Sequence, residues 1–228
     1  MKHPVLNGRK CAKGLVAGIL ITFGVMQAAS AGVIFSATTA TINSGGPGFG
    51  SITDTHNQAG LLSGYTANVT DFDTYIATAR LHSSAFLGNE WFSNFLSTSA
   101  SVTCDSGSAR TFNALALWND EASGIGLLDL FVSLDNLTFA PLAAALTPTD
   151  NPPFPAPYAA DVFGFGTTVA RCVRFDMSRC PQTPAEFDAC GIGEVAFRET
   201  ARQVPEPASL ALVGLAALGL AVRRKRAQ

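Results

Sequence analysis

Two pairs of acids, Asp71 with Asp73 and Asp120 with Glu121, are the residues whose type and spacing could do chemistry, because a glycosidase works with two carboxylates. Neighbouring acids also occur as solvated loop residues, and spacing along the chain does not set their separation in space. The remainder of a catalytic set is missing. The histidines are His3, His56 and His82, and there is no Gly-x-Ser-x-Gly elbow, no His-Glu-x-x-His and no phosphate-cradling glycine loop. Gly164-Phe165-Gly166 runs into Thr167-Thr168-Val169 and lacks the third glycine of a dinucleotide loop. The chain therefore reads as non-catalytic, with a secreted hydrolase using Asp120 or Glu121 as the weaker competitor.

What the cysteines can do depends on the compartment, and the two ends of the chain set it. Lys2, Arg9, Lys10 and Lys13 lead into an apolar run from Leu15 to Val25 and then the small-residue site Ala29-Ser30-Ala31. That order is a secretory signal peptide cut after Ala31, and the run is about half the ~20 residues a membrane span needs. Cys11 lies before the apolar run, so it is not placed as a lipoprotein cysteine. At the other end come Val204-Pro205-Glu206-Pro207, the apolar segment Ala208 to Val222, and Arg223, Arg224, Lys225 and Arg226. Such a segment spans a membrane with help from snorkelling arginines, and the basic cluster stays cytoplasmic, leaving the domain outside.

This tail resembles the PEP-CTERM sorting signal, in which a Pro-Glu-Pro motif, an apolar helix and terminal arginines are recognised by a membrane protease, the exosortase. The resemblance implies a precursor anchored in the inner membrane, cut near Pro205 to Pro207, and passed to the cell surface or an extracellular matrix. A plain membrane anchor is the simpler alternative, but an anchor has no use for two prolines bracketing a glutamate.

Between the two ends, residues 32 to about 204 are enough for one domain. Of fifteen Lys and Arg, four lie in the signal and four in the tail, leaving seven arginines against sixteen acids. An acidic domain excludes nucleic acid as a partner and suits neutral glycans or divalent cations. Cys104, Cys172, Cys180 and Cys190 remain after export, an even count in an oxidising compartment, where two disulfides are expected. Three pairings are possible. Cys180–Cys190, closing a Pro-rich loop, and Cys104–Cys172, joining two core strands, are preferred; zinc is disfavoured because no Cys-x-x-Cys or adjacent His is present.

The elements that must position these residues are strands. Residues 32–60 are rich in Gly, Ser, Thr and Asn and read as a lead-in or irregular edge strands, followed by a domain over 61–200 and the sorting tail over 201–228. Ser101 to Cys104 reads as a strand stopped by Asp105-Ser106-Gly107. Thr111 to Trp118 reads as a central strand, with Leu115 and Leu117 on one face and Phe112, Ala114, Ala116 and Trp118 on the other. Leu127 to Leu134, Val169 to Phe175 and Glu194 to Arg198 complete the set, and the four prolines in Asn151 to Tyr158 restrict that run to a loop. An all-β antiparallel sandwich is expected, flanked by a signal helix and a C-terminal transmembrane helix.

The segments Ser101 to Trp118, Ala170 to Phe175 and Gly191 to Phe197 resemble strands of the discoidin (F5/8 type C) family, a galactose-binding-like jelly-roll sandwich. Cys104, Cys172 and Ser106 depart from its usual residues. The resemblance implies a structural calcium ion between an N-terminal loop and the Glu of the last strand, here Glu194, with Asp71 and Asp73, or Asn89 and Glu90, as loop ligands. It also implies association with exopolysaccharide through loop aromatics and polar side chains, for which Trp91, Trp118, Asn119, Asp120 and Tyr158 are candidates, with Phe154 and Phe163 beside them. A structural envelope protein without glycan binding is the runner-up.

Overall fold

A computed structural model describes residues 32–200, except 79–80, 85–87, 122, 153 and 183–186. The expected signal helix with its cleavage site Ala29 to Ala31, and the tail helix with Pro205, Glu206, Pro207, Arg223, Arg224, Lys225 and Arg226, lie outside the described residues. Among the described residues no helix is long and apolar enough to cross a membrane.

The described chain is an all-β antiparallel sandwich. Its strands are β1 (Val33–Phe35), β2 (Thr39–Ser44), β3 (Phe49–Gly50), β4 (Leu81–His82), β5 (Trp91–Phe92), β6 (Ser99–Asn119), β7 (Leu127–Ser133), β8 (Ala140–Leu146), β9 (Tyr158–Ala159), β10 (Asp161–Ser178) and β11 (Gly191–Glu199). A short helix, α1 (Phe72–Ala77), and a 3-10 turn at Ile52–Thr55 interrupt them. Two long strands organise the rest. The first part of β6 pairs with β2 on one side and with the last part of β10 on the other, and β10 continues to β7 and β8. The last part of β6 pairs with the first part of β10 on one side and, in place of β2, with β11 on the other, and β11 carries β1 and β5.

Alternation along these strands sorts side chains between faces, since successive residues of a strand point to opposite sides. Ala100, Val102 and Cys104 of β6 and Val173, Phe175 and Met177 of β10 enter the main core with Phe35, Trp91, Leu115, Leu117 and Phe197. Each large side chain buried there contributes roughly 1.5–3 kcal/mol. A second cluster, Ile34, Tyr65, Phe72, Tyr75, Ala116, Trp118, Tyr158 and Ala196, covers the other face of the β6 and β11 ends. Helix α1 closes this side: Asp71 caps it by accepting from the Thr74 amide, and Phe72 and Tyr75, one turn apart, face inward.

The strand expected over Thr111 to Trp118 is central, with both faces covered. Phe112 differs from the expectation, since it joins Leu115 and Leu117 in the main core. The reason is a bulge: Arg198 stands opposite Ala114 but Glu199 opposite Phe112, so Asn113 is an extra residue and the parity reverses. The expected stop at Asp105-Ser106-Gly107 also differs. The chain passes through it as one strand of 21 residues, with Gly107 at φ 76° absorbing the irregularity. The Gly- and Ser-rich stretch supplies β1, β2 and β3, and Ile34 and Phe35 within it are core residues.

The Cys180–Cys190 disulfide is present. The second expected bridge is not, because Cys104 and Cys172 are free and buried thiols. Register explains this. Cys104 stands opposite Val173 and Cys172 opposite Asp105, and residues directly opposite share a face. Cys104 therefore points into the core and Cys172 out of the opposite side of the sheet, where no S–S bond can join them. Burial pushes the Cys104 thiol up to about 12, which leaves it unreactive.

Alkylating the denatured, unreduced mature protein and mapping its peptides should label Cys104 and Cys172 fully and leave Cys180 linked to Cys190; a Cys104–Cys172 peptide would contradict the register. Replacing both Cys180 and Cys190 by Ser should cost about 2–3 kcal/mol in chemical denaturation.

Candidate functional site

The acid pair Asp120 and Glu121 follows directly on β6, and the fold draws it inside. Asn119, Asp120 and Glu121 are all buried, as are Glu90, His82 and Tyr158. Asn119 and Asp120 organise the turn that follows: Asp120 Oδ1 accepts from the Ser123 amide at 2.7 Å, Asn119 Oδ1 from the Ile125 amide at 2.8 Å, and Asn119 Nδ2 donates to the Thr149 carbonyl at 2.8 Å. The two-stranded pair β4–β9 lays His82 and Tyr158 over the same region. Tyr158 donates to Glu90 Oε1 at 2.7 Å, and His82 Nδ1 lies 3.3 Å from that oxygen and 2.8 Å from the Ser83 carbonyl.

Burial sets the protonation of this network. His82 is pushed down to about 4, so its imidazole is neutral, and the Ser83 carbonyl requires the proton to sit on Nδ1. Glu90 is pushed up to about 7, by burial first and then by the Glu121 charge, against the hydrogen bonds of Tyr158 and Asp120. Close approach is required at two glycines: a Cβ on Gly60 would enter the His82 ring, and one on Gly193 would meet the Tyr158 hydroxyl. Ligand oxygens of Glu90, Asp120 and Glu121 lie within 4.8 Å of one another, which makes them the group among the described residues that could hold a hard cation.

The set expected for calcium does not assemble. Asp71 caps α1, and Asp73 pairs with Arg198 at 2.8 Å near the far end of β11. Glu194 lies four residues back along that strand, roughly 13 Å away, and faces inward. Its Oε2 accepts from the Gln58 amide at 2.6 Å, its Oε1 is buried without a hydrogen-bond partner among the described residues, and burial raises its pKa well above the usual range. Of the loops, the one that reaches Glu194 is that around Asp54 and Gln58, whereas Asn89 donates to Ser83 Oγ.

The residues expected to meet a sugar are likewise interior. Trp91, Trp118, Asn119 and Asp120 are 0% exposed and Tyr158 1%, so none offers a ring face or polar edge to a ligand from solvent. Trp91 instead donates its indole N–H to the Pro47 carbonyl. Aromatic residues that do reach solvent include Phe49, Phe95 and Phe154.

A different surface presents polar groups in order. On the outer face of the five-stranded half, register aligns Thr41, Thr103, Arg174 and Phe131 in one row, and Ser44, Ser101, Asp176 and Asp129 in the next. The Arg174 guanidinium sits 4.5 Å from the Phe131 ring centre and 4.7 Å from that of Phe139, in cation–π contact with both. Its Nε lies 3.1 Å from Asp176 Oδ1 as an ion pair, and that oxygen accepts a hydrogen bond from Ser101 Oγ at 2.7 Å. Asn43 Nδ2 donates to Ser101 Oγ and Thr103 Oγ1. These side chains line a groove of about 640 Å3. The alternation of hydroxyl and apolar residues in Ser101 to Cys104 was a sign of a polar face; the Arg174 clamp depends on Phe139, across a hairpin, and left no local sign.

Residues 203–226 match the PEP-CTERM protein-sorting motif, the tail expected from Pro205-Glu206-Pro207. No curated protein matches the chain in sequence. Among solved structures, it is similar to chitosan-binding module 1 of a chitosanase/glucanase from Paenibacillus sp. IK-5, at 18% identity over 70% of this chain and 92% of the module, with a TM-score of 0.45. It is also similar to the CBM32 of AlyQ, solved with 4,5-unsaturated mannuronic acid, at 14% identity over 72% and 96% with a TM-score of 0.44. A pectin-binding carbohydrate-binding module shows 15% identity over 51% and 75%, with a TM-score of 0.38. These identities carry no ligand and no residue role across.

The buried network predicts a pH dependence with a definite sign. Glu90 has its pKa raised from 4.5 to about 7, so its contribution is most favourable below 4.5, declines as pH rises and levels off above 7. His82, lowered from 6.5 to about 4, acts in the opposite direction between those values. Comparing wild type with Glu90→Gln by urea denaturation isolates the first term. The variant should gain on the order of 2–3 kcal/mol relative to wild type between pH 4.5 and pH 8; a difference that does not change with pH would mean that Glu90 titrates normally.

Proposed function

We propose that this chain is an exported, non-catalytic protein of the cell surface or extracellular matrix, whose tail is processed by an exosortase and whose sandwich associates with exopolysaccharide. The sorting motif at 203–226 marks an exported protein sorted to the cell envelope. One structural observation carries the rest: Asp120 and Glu121, the acids a hydrolase was expected to use, are buried together with His82, Glu90 and Glu194, whereas the broad outer sheet face offers hydroxyl, amide and guanidinium groups to solvent. Hydrolysis needs its carboxylates at the substrate, and glycan association needs fixed donors and acceptors on a surface.

The second reading, a structural envelope protein, draws on exposed apolar side chains. Leu134 and Leu137 at the β7–β8 hairpin and Val162 and Val169 on β10 are available for protein contacts. Under it, the sandwich is packing material for the envelope and the sheet face binds nothing.

In the native host, intact mass of the surface-recovered protein should end near Pro205 to Pro207, and a strain lacking the exosortase should accumulate uncut precursor. A mass retaining Arg223 to Arg226 in both strains would make the tail an anchor only. Incubated with isolated exopolysaccharide, the processed protein should co-sediment, and wild-type-like sedimentation without polymer retention would favour the structural reading.

A further inference from the structure

The outer sheet face holds its hydrogen-bonding groups in a rigid array, on a different part of the fold from the loop residues first expected to meet a sugar. A second hollow of about 330 Å3 shares Asn43 and Ser44 with the groove and runs on to Gly45, Gly46 and Pro47. The groove alone falls within the roughly 300–1,000 Å3 of small-ligand sites, and with the hollow that adjoins it at Asn43 and Ser44 it forms a longer track. A track fits a polymer better than a single small molecule.

Its centre is a donor and an acceptor fixed side by side. Arg174 packs against both Phe131 and Phe139, which leaves less side-chain entropy to be lost on binding. Among the described residues its terminal nitrogens make no hydrogen bond to protein, and neither does Asp176 Oδ2. Neighbouring hydroxyls on a sugar ring can accept from the one and donate to the other. Ser101, Thr103 and Asn43 add neutral polar groups along the same rows.

Charge narrows the ligand class. Arg174 and Asp176 are the charged residues lining the groove, and at 3.1 Å they offset each other. Outside it, fifteen acids against six arginines give the mature chain a field that repels a polyanion. A polycation would meet Arg174 at the middle of the track.

We infer that this groove binds an uncharged polysaccharide chain, with Arg174 and Asp176 recognising vicinal hydroxyls and Asn43 guiding the chain where the two hollows meet; this rests on the glycan reading above. Affinity electrophoresis of the processed protein through gels containing galactomannan, xyloglucan, dextran or mixed-linkage β-glucan, and separately alginate or chitosan, tests it. At least one neutral polymer should retard the protein more than alginate or chitosan does. Arg174→Ala and Asn43→Ala should each weaken that retardation about tenfold or more, while Phe95→Ala, exposed outside the groove, should not change it. Circular dichroism checks folding, and Asn43→Ala, on the exposed rim, keeps the test valid if Arg174→Ala unfolds. Retardation by a neutral polymer that survives both groove changes would overturn the site and leave the glycan reading standing. Preference for alginate or chitosan would overturn the ligand class, and no retardation by any polymer would remove the glycan reading and this inference together.

Discussion

The pairing register of β6 with β10 is the constraint on which the rest of the structure depends. Both strands are long enough to serve two parts of the sandwich, pairing with each other near either end and reaching different neighbours there. Because the strand repeat is two residues, a slip of one would exchange the faces of every residue along them. In the observed register Val102, Cys104, Val173 and Phe175 enter the core, and Ser101, Thr103, Arg174 and Asp176 leave it. The unreacted thiols, the polar groove and the apolar interior are three consequences of that one alignment.

A second feature is the separation of acids by environment. Carboxylates nearer the surface are used conventionally: the half-buried Asp105 is held below the usual range by the Arg171 guanidinium, and the exposed Asp135 at about 2 by backbone amides at the β7–β8 turn. Glu90 and Glu194 are instead drawn inside, where burial raises them. Beside them, Asn119, Asp120 and Gln182 tie the turn after β6 to the segments around Thr149 and Pro148. The loops at this end are stiffened from below.

Much of this was legible in the sequence. Alternation and turn residues identified the strands around Thr111 to Trp118, Leu127 to Leu134 and Glu194 to Arg198, and compartment logic identified Cys180–Cys190. The sorting tail was legible because it is a linear motif, read without folding the chain. What was missed required pairing. Whether Cys104 meets Cys172 is decided by which residue stands opposite which, and the extra residue Asn113, which reverses Phe112, shows only in the β6–β11 register. Trp91, Trp118 and Tyr158 were placed near loops correctly, but proximity to a loop does not determine exposure, and here a second cluster and the β4–β9 pair cover Trp118 and Tyr158.

Backbone amide chemical shifts of the isotope-labelled processed protein, followed while a soluble neutral oligosaccharide is added, test the central claim most directly. The account predicts that perturbed amides cluster on β2, β6 and β10 around Asn43, Ser101, Thr103 and Arg174, with the loops carrying Phe95 and Phe154 unmoved. Perturbations confined to those loops, with the outer sheet face silent throughout saturation, would contradict it.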